Sequence, residues 1–155
     1  MQNLQVLNQT TGRLMIEGIV LTSLKVIAVD KGRVFHALKK NDKGYKNFGE
    51  AYFSEIEPNE IKAWKRHNIM TLNLVVPLGE VRFVLFDDRY NRQTFEEITL
   101  SVENYSRLTI PPKIWFGFQG LSKTNSLILN IADIEHDPNE VDRKEIEEIS
   151  YNWRT

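Results

Sequence analysis

The stretch that decides the fold reads LNLVVPLGEVRFVLF and occupies residues 72–86. Its first half, residues 72–76, is short and apolar and ends at the turn sequence Pro77-Leu78-Gly79. A second run, residues 81–86, follows at once and ends at Asp87-Asp88. Two β-branched and aromatic runs around a tight turn predict two strands joined as a hairpin.

Similar short runs lie on both sides of this stretch. They are rich in aromatic and β-branched residues, which favours strand over helix, and they cover residues 24–29, 95–100, 107–110, 114–118 and 126–131. Many short strands at roughly ten-residue spacing predict a mostly β protein, a sandwich or a barrel.

Two other segments have helical features. Asp137-Pro138-Asn139-Glu140 has the pattern of an N-cap, a proline at the first helical position and a glutamate at the third. Ile146 and Ile149 would give the following helix a weak apolar face. Residues 58–67 fit a helix through Ile61 and Trp64, and they fit equally well a strand after a turn at Pro58-Asn59.

Length and composition restrict the protein class. With 155 residues, 41% hydrophobic and 26% charged, we expect one globular domain over residues 1–155, with its core at about 14–140 and irregular ends of about ten residues each. The net charge is −1, which gives no electrostatic reason for nucleic-acid binding. No apolar run approaches the roughly 20 residues of a membrane span. The first five residues lack a signal-peptide pattern, so we expect a cytoplasmic protein.

The sequence offers little generic cofactor chemistry. It contains no cysteine, which excludes thiolate nucleophiles, Cys-ligated zinc and iron–sulfur centres. The three histidines, His36, His67 and His136, are far apart and form no ligand pair. No glycine-rich phosphate loop is present. We therefore expect neither a metal nor another cofactor.

One basic and aromatic cluster, residues 62–67, has two interpretations. It is either a solvated edge or an anion site with a titratable imidazole beside it. On a strand, Ala63, Lys65 and His67 would share one face. Neighbouring cations disfavour the imidazolium, so His67 would be neutral at pH 7, the form that a general base requires.

A family resemblance appears downstream, between Gly79 and Glu140. The chain resembles the dTDP-4-dehydrorhamnose 3,5-epimerase family through the order and spacing of several short motifs over about sixty residues. These motifs are Gly79-Glu80-Val81 with Asp87-Asp88-Arg89, Thr94-Phe95, Leu100-Ser101-Val102-Glu103-Asn104, Leu108-Thr109-Ile110-Pro111, Gly117-Phe118 with Leu121-Ser122, and Pro138 with Glu140. Upstream, residues 30–35 and 64–67 match the family more loosely.

The resemblance implies a fold and an activity. The family fold is a single cupin-like antiparallel jelly roll. Its members act on nucleotide-linked 4-keto-6-deoxy sugars, such as dTDP-linked ones, in polysaccharide or lipopolysaccharide biosynthesis. They need no cofactor, and they form homodimers by strand exchange or sheet extension. A histidine held by an aspartate removes a proton beside the keto group, a lysine stabilises the oxyanion, and a tyrosine returns a proton.

The family residues transfer only in part. The resemblance implies that His67 is the catalytic base. The residues expected to bind substrate are Arg33, Glu50, Tyr52, Lys65 and Arg89. Arg89 fits a structural salt bridge equally well, and Tyr52 could replace the missing family acid or be a core residue.

Other family positions are replaced. The family lysine falls at Leu72 or Asn73, the second family histidine at Phe116, and the family tyrosine at Leu129, which we expect to point into the cavity. Asp142 and Glu147 are candidates for the family aspartate. The sequence therefore predicts an epimerase-like enzyme with an altered site. The alternatives are a catalytically silent jelly roll that binds a sugar nucleotide or glycan, and a structural jelly roll outside sugar metabolism.

Overall fold

The computed structural model describes residues 14–154 and is almost entirely β-structure. The irregular segment expected over the first ten residues lies outside this range. The strands are β1 (Val20–Ser23), β2 (Val26–Val29), β3 (Gly32–Phe35), β4 (Glu50–Ile56), β5 (Ile61–His67), β6 (Leu72–Leu78), β7 (Glu80–Asp87), β8 (Thr94–Ser101), β9 (Ser106–Ile110), β10 (Trp115–Gly120), β11 (Ser126–Ala132) and β12 (Val141–Arg143).

Two antiparallel five-stranded sheets face each other. The first has the order β1-β9-β6-β11-β4 and the second the order β12-β5-β10-β7-β8, while β2 and β3 form a separate hairpin. The expected antiparallel jelly roll is confirmed. The residues between the sheets form the main core, which includes Leu74, Phe83, Leu108 and Ile128.

The stretch from β6 to β7 corrects one expectation. The two strands are not a hairpin, because β6 pairs with β9 and β11 whereas β7 pairs with β8 and β10. Gly79 carries the chain from one sheet to the other with a φ of 83°. A Cβ at this position would lie 2.2 Å from Ser126 Oγ, so both the backbone conformation and the space require glycine.

Of the two segments with helical features, residues 58–67 follow the strand alternative, since Ile61–His67 form β5. The helix expected from Asp137 onward is corrected. After Asp137 there is only a 3₁₀ turn, Pro138–Glu140, then β12 and a second 3₁₀ turn, Ile146–Glu148. The predicted cap itself is confirmed, since the Asp137 carboxylate accepts a hydrogen bond from Asn139 N–H at 2.9 Å.

The C-terminal segment continues from β12 across the outer face of the second sheet. Ile149 and Trp153 pack there on Trp64, Phe86 and Trp115 as a second apolar cluster. This packing explains why Ile146 and Ile149 are apolar without a helix. Among residues 14–154, no helix has the length and apolar character needed to span a membrane.

Candidate active site

A cavity of about 420 Å³ lies between the two sheets. Both sheets contribute to its wall. The lining side chains used below are Tyr52, Lys65, Leu72, Phe116 and Asn130. Because alternate residues of a strand point to opposite faces, Lys65 and His67 share the inner face of β5, as the sequence predicted.

His67 and Glu140 form a buried pair behind the cavity wall. Neither residue lines the cavity itself, but Phe116, which does, stacks on the imidazole of His67. Their Nδ1 and Oε1 atoms are 2.6 Å apart, and the two side chains are only 5% and 2% exposed. The pair depends on β12, which runs antiparallel to β5 and places Val141 opposite His67. Glu140 ends the 3₁₀ turn that Asp137 caps. A local turn and a strand pairing thus bring together residues 73 positions apart.

The second oxygen of Glu140 is also bound. Glu140 Oε2 accepts hydrogen bonds from the backbone N–H groups of Asn68, at 2.9 Å, and Ile69, at 3.3 Å. Burial alone would raise the pKa of Glu140, but the hydrogen bonds from His67, Ile69 and Asn68 outweigh it and hold the pKa below its usual range. The carboxylate is therefore ionised and can only accept, so His67 Nδ1 carries a proton and donates it.

The other ring nitrogen of His67 has no such contact. His67 Nε2 is buried and has no hydrogen-bond partner among the described residues. Burial lowers the pKa of His67, the charges of Lys65 and His136 lower it further, and the Glu140 contact opposes them without reversing the shift. At neutral pH the ring is uncharged with a free lone pair on Nε2, which is the state of a general base.

Two cations lie near the His67–Glu140 pair along β5 and β12. Lys65 and Arg143 lie directly opposite each other in the β5–β12 register, and neither forms an ion pair with a described residue. Burial lowers the pKa of Lys65, and the positive charge of Arg143 lowers that pKa further. The negative charges of Glu140 and Glu50 act in the opposite direction. Like charges opposite each other in a sheet are destabilising, so the pair favours an anionic group between them.

The opposite sheet contributes a phenol and an amide. Tyr52 and Asn130 are opposite each other in the β4–β11 register, and both line the cavity. Burial raises the pKa of Tyr52, and Glu50 raises it further, so the phenol stays protonated at neutral pH. Asn130 Nδ2 donates to Ser54 Oγ at 3.0 Å. A protonated phenol thus contributes to the cavity wall opposite β5.

The expectation for Leu129 is wrong. The even-numbered residues of β11 are buried and face the core, whereas Leu129 is half-buried on the outer face, opposite Phe53. The place of the family tyrosine was assigned by residue count alone, and an offset of one position moves a side chain to the other side of a strand. Asn130 takes the inner position. Leu72 lines the cavity, while Asn73 points outward to Arg107.

The carboxylate partner of His67 is also corrected. Asp142 binds Arg66 at 2.7 Å on the outer face, and Glu147 belongs to the second 3₁₀ turn. Glu140 takes the partner role instead. The sequence had matched Glu140 to a family motif, but it gave no sign that this residue faces His67.

The remaining predicted site residues divide into two groups. Glu50 shares the inner face of β4 with Tyr52 and acts electrostatically on Tyr52 and Lys65. Arg33 lies instead on the exposed β2–β3 hairpin, over the ring of Phe35. Arg89 binds both oxygens of Asp87 at 2.9 Å and the carbonyl of Glu17, as in the salt-bridge alternative. Neither arginine lines the cavity.

Between residues 14 and 154, no three His, Asp or Glu side chains converge so that they could hold a metal ion.

Comparison with known proteins gives clear relatives. The chain is 37% identical to a dTDP sugar isomerase of Desulfovibrio desulfuricans, whose crystal structure matches it with a TM-score of 0.84 over 89% of this chain and 92% of that chain. It is 27% identical to the spore coat polysaccharide biosynthesis protein SpsL of Bacillus subtilis, over 91% of this chain and 98% of that protein.

A third relative comes from an archaeon. It is a probable low-salt glycan biosynthesis epimerase of Haloferax volcanii, 26% identical over 84% of this chain and 87% of that protein. No protein-family model matches the chain.

Proposed function

The chain belongs to the family of dTDP-sugar isomerases and epimerases that serve polysaccharide biosynthesis, and from this premise we propose that it epimerises a nucleotide-linked 4-keto-6-deoxy sugar. The single observation that carries the proposal is the buried His67–Glu140 pair with a free Nε2 beside the cavity.

His67 is the proposed base. Its Nε2 takes a proton from the carbon next to the keto group, and the electron pair of the broken C–H bond moves into the carbonyl to give an enolate. The ring becomes an imidazolium, and the ionised Glu140 stabilises that charge through Nδ1–H. Returning a proton to the opposite face of the same carbon inverts it. Acid–base help of this kind is worth about 10²–10⁴ in rate.

Lys65 is the proposed partner of the enolate oxygen. The family position at Leu72 is apolar, but Lys65 enters the same cavity from β5 in the facing sheet. Its charge beside Arg143 suits a substrate that carries an anionic nucleotide as well as a developing oxyanion. A preorganised donor at such an oxygen contributes roughly 10²–10³ in rate.

Tyr52 is the proposed acid. It lies in the sheet facing β5, so it approaches the substrate from the side opposite His67. The raised pKa keeps its proton in place until the carbanion forms. Asn130, beside it, is a candidate for hydrogen bonding to a sugar hydroxyl.

A homodimer is part of the same proposal. The β2–β3 hairpin exposes Val26, Ile27, Val29 and Val34 by at least a third of their surface, and a lone two-stranded hairpin is marginally stable in water. Phe53, 61% exposed, lies on β4 at the end of the first sheet. A second copy of the chain would cover these surfaces.

Sedimentation equilibrium tests the proposed homodimer. Val34→Glu should convert the dimer to monomers, and a monomeric wild type would refute the proposed dimer.

The test of the reaction is solvent exchange. The protein is incubated with dTDP-4-keto-6-deoxyglucose in deuterated water, and NMR follows both deuterium uptake at C3 and C5 and the stereochemistry. We expect uptake with the wild type and none with His67→Asn. Binding of the nucleotide sugar without any uptake would favour the catalytically silent module instead.

A further inference from the structure

We propose that Asn68 is the positioning residue that holds Glu140 against His67. This role rests on the proposed function of the His67–Glu140 pair, and the contacts that support it lie outside the pair. Asn68 follows β5 directly and makes hydrogen bonds with both its backbone and its side chain.

Asn68 binds Glu140 in three ways. Its backbone N–H donates to the Glu140 carbonyl at 2.8 Å and to Oε2 at 2.9 Å. Its side-chain Nδ2 donates to the same Glu140 carbonyl at 3.1 Å and to Asp142 Oδ2 at 3.2 Å. The side chain therefore fixes the backbone of the segment that carries the carboxylate, while the backbone N–H fixes the carboxylate itself.

The other end of the Asn68 side chain is tied to a third segment. Lys113 Nζ donates to Asn68 Oδ1 at 2.6 Å, and Lys113 N–H donates to the His67 carbonyl at 2.7 Å. Asn68 thus joins the end of β5, the start of β12 and the turn before β10. Since its Oδ1 accepts from Lys113, the amide orientation is fixed, and Nδ2 must face Glu140 and Asp142.

The Glu140 segment needs such a clamp. The strand β12 has only three residues and pairs with β5 alone, at the edge of its sheet. A 2.6 Å hydrogen bond to Nδ1 tolerates little displacement. Three backbone pairs and the reciprocal Trp64–Lys144 backbone bonds hold β12 and the residue after it to β5. The Asn68 side chain adds two bonds at the end of this pairing where Glu140 lies.

The experiment measures the His67 ring directly. NMR titration of His67 in Asn68→Ala should give a lower pKa than in the wild type, because Glu140 is the group that raises it. The other charged or titratable groups acting on the ring, Lys65 and His136, are unchanged by the substitution. We expect deuterium uptake to fall about tenfold, with unchanged KM for the nucleotide sugar. Asn125→Ala, which removes a surface bond to Glu55, is the matched control.

A double-mutant comparison separates positioning from general damage. If Asn68 acts through Glu140, Asn68→Ala should reduce uptake little further in a Glu140→Gln background. Asn68→Ser serves as the second variant if alanine prevents folding, with the same direction expected. Two results would overturn the proposal. One is an unchanged pKa of His67 in Asn68→Ala. The other is a loss of deuterium uptake on Asn68→Ala that is as large in the Glu140→Gln background as in the wild type. If the wild type shows no uptake, the proposed function fails, while the His67 titration still decides the role of Asn68.

Discussion

Phe116 stacks on His67, with ring centroids 6.1 Å apart and planes inclined by 22°. Phe116 is 5% exposed. Its ring therefore helps to exclude water from the imidazole, and burial is the main reason why the pKa of His67 is low.

Replacing this ring should raise the pKa of His67. In Phe116→Leu, water gains access to one face of the imidazole, so the charged form is less disfavoured. An NMR titration of His67 should show the pKa moving towards the ordinary value of about 6.5. Phe118→Leu is the control, since Phe118 packs on Phe83. An equal shift in both variants would contradict the role given to Phe116.

Activity should depend on pH through His67. Because the folded pKa lies below about 6.5, the base is active at neutral pH, and exchange should fall only when the pH drops below that value. The relevant measurement is the deuterium uptake rate from pH 8 to pH 4. A midpoint above pH 7 would contradict the desolvated, neutral imidazole.

Stability should fall in the same acidic range. Both pKa values, of His67 and of Glu140, are lower in the folded chain than in a free residue. The unfolded chain therefore binds more protons as the pH falls, first at the histidine below about pH 6.5 and then at the glutamate. The free energy of unfolding, measured by urea denaturation, should decrease from pH 7 to pH 4. The decrease below pH 5 should be smaller in Glu140→Gln.

Tyr52→Phe should separate the two halves of the reaction. Proton removal by His67 remains, so deuterium uptake continues, while inversion slows by about 10²–10⁴ because the acid on the other face is lost. The stereochemistry of the recovered sugar gives the answer. Leu129→Tyr is an informative control, since Leu129 faces outward and a tyrosine there should leave the rate unchanged. Inversion at the wild-type rate in Tyr52→Phe would show that another group is the acid.

Lys65→Met should slow exchange by about 10²–10³, the typical loss of one oxyanion donor. Methionine keeps an unbranched side chain, one atom shorter than lysine, and removes the charge. Lys123→Met, at an exposed position, controls for the change in net charge. We expect the loss in kcat for deuterium exchange. A wild-type kcat in Lys65→Met would show that Lys65 does not stabilise the enolate oxygen.

Sequence reasoning predicted the fold better than the candidate site. Strand positions followed from apolar runs. The family resemblance singled out His67, whose role as the base stays a prediction. The partner Glu140 could not be identified, because strand pairing between β5 and β12 brings it to His67, and pairing over such a distance leaves no local pattern. The prediction that Leu129 points into the cavity was wrong for a related reason. Counting residues identifies the strand but not the face of the strand on which each side chain lies.

The crossing at Gly79 has a consequence for how quickly the chain can fold. The strands β6 and β7 belong to different sheets, so they do not pair with each other. Strand pairs of the first sheet instead join distant parts of the sequence, such as β6 with β11 and β1 with β9. Such topologies must close long loops before any pairing energy is gained, and they typically fold in milliseconds to seconds. During that time the apolar strands stay unpaired, so successful refolding of this chain should depend on low protein concentration.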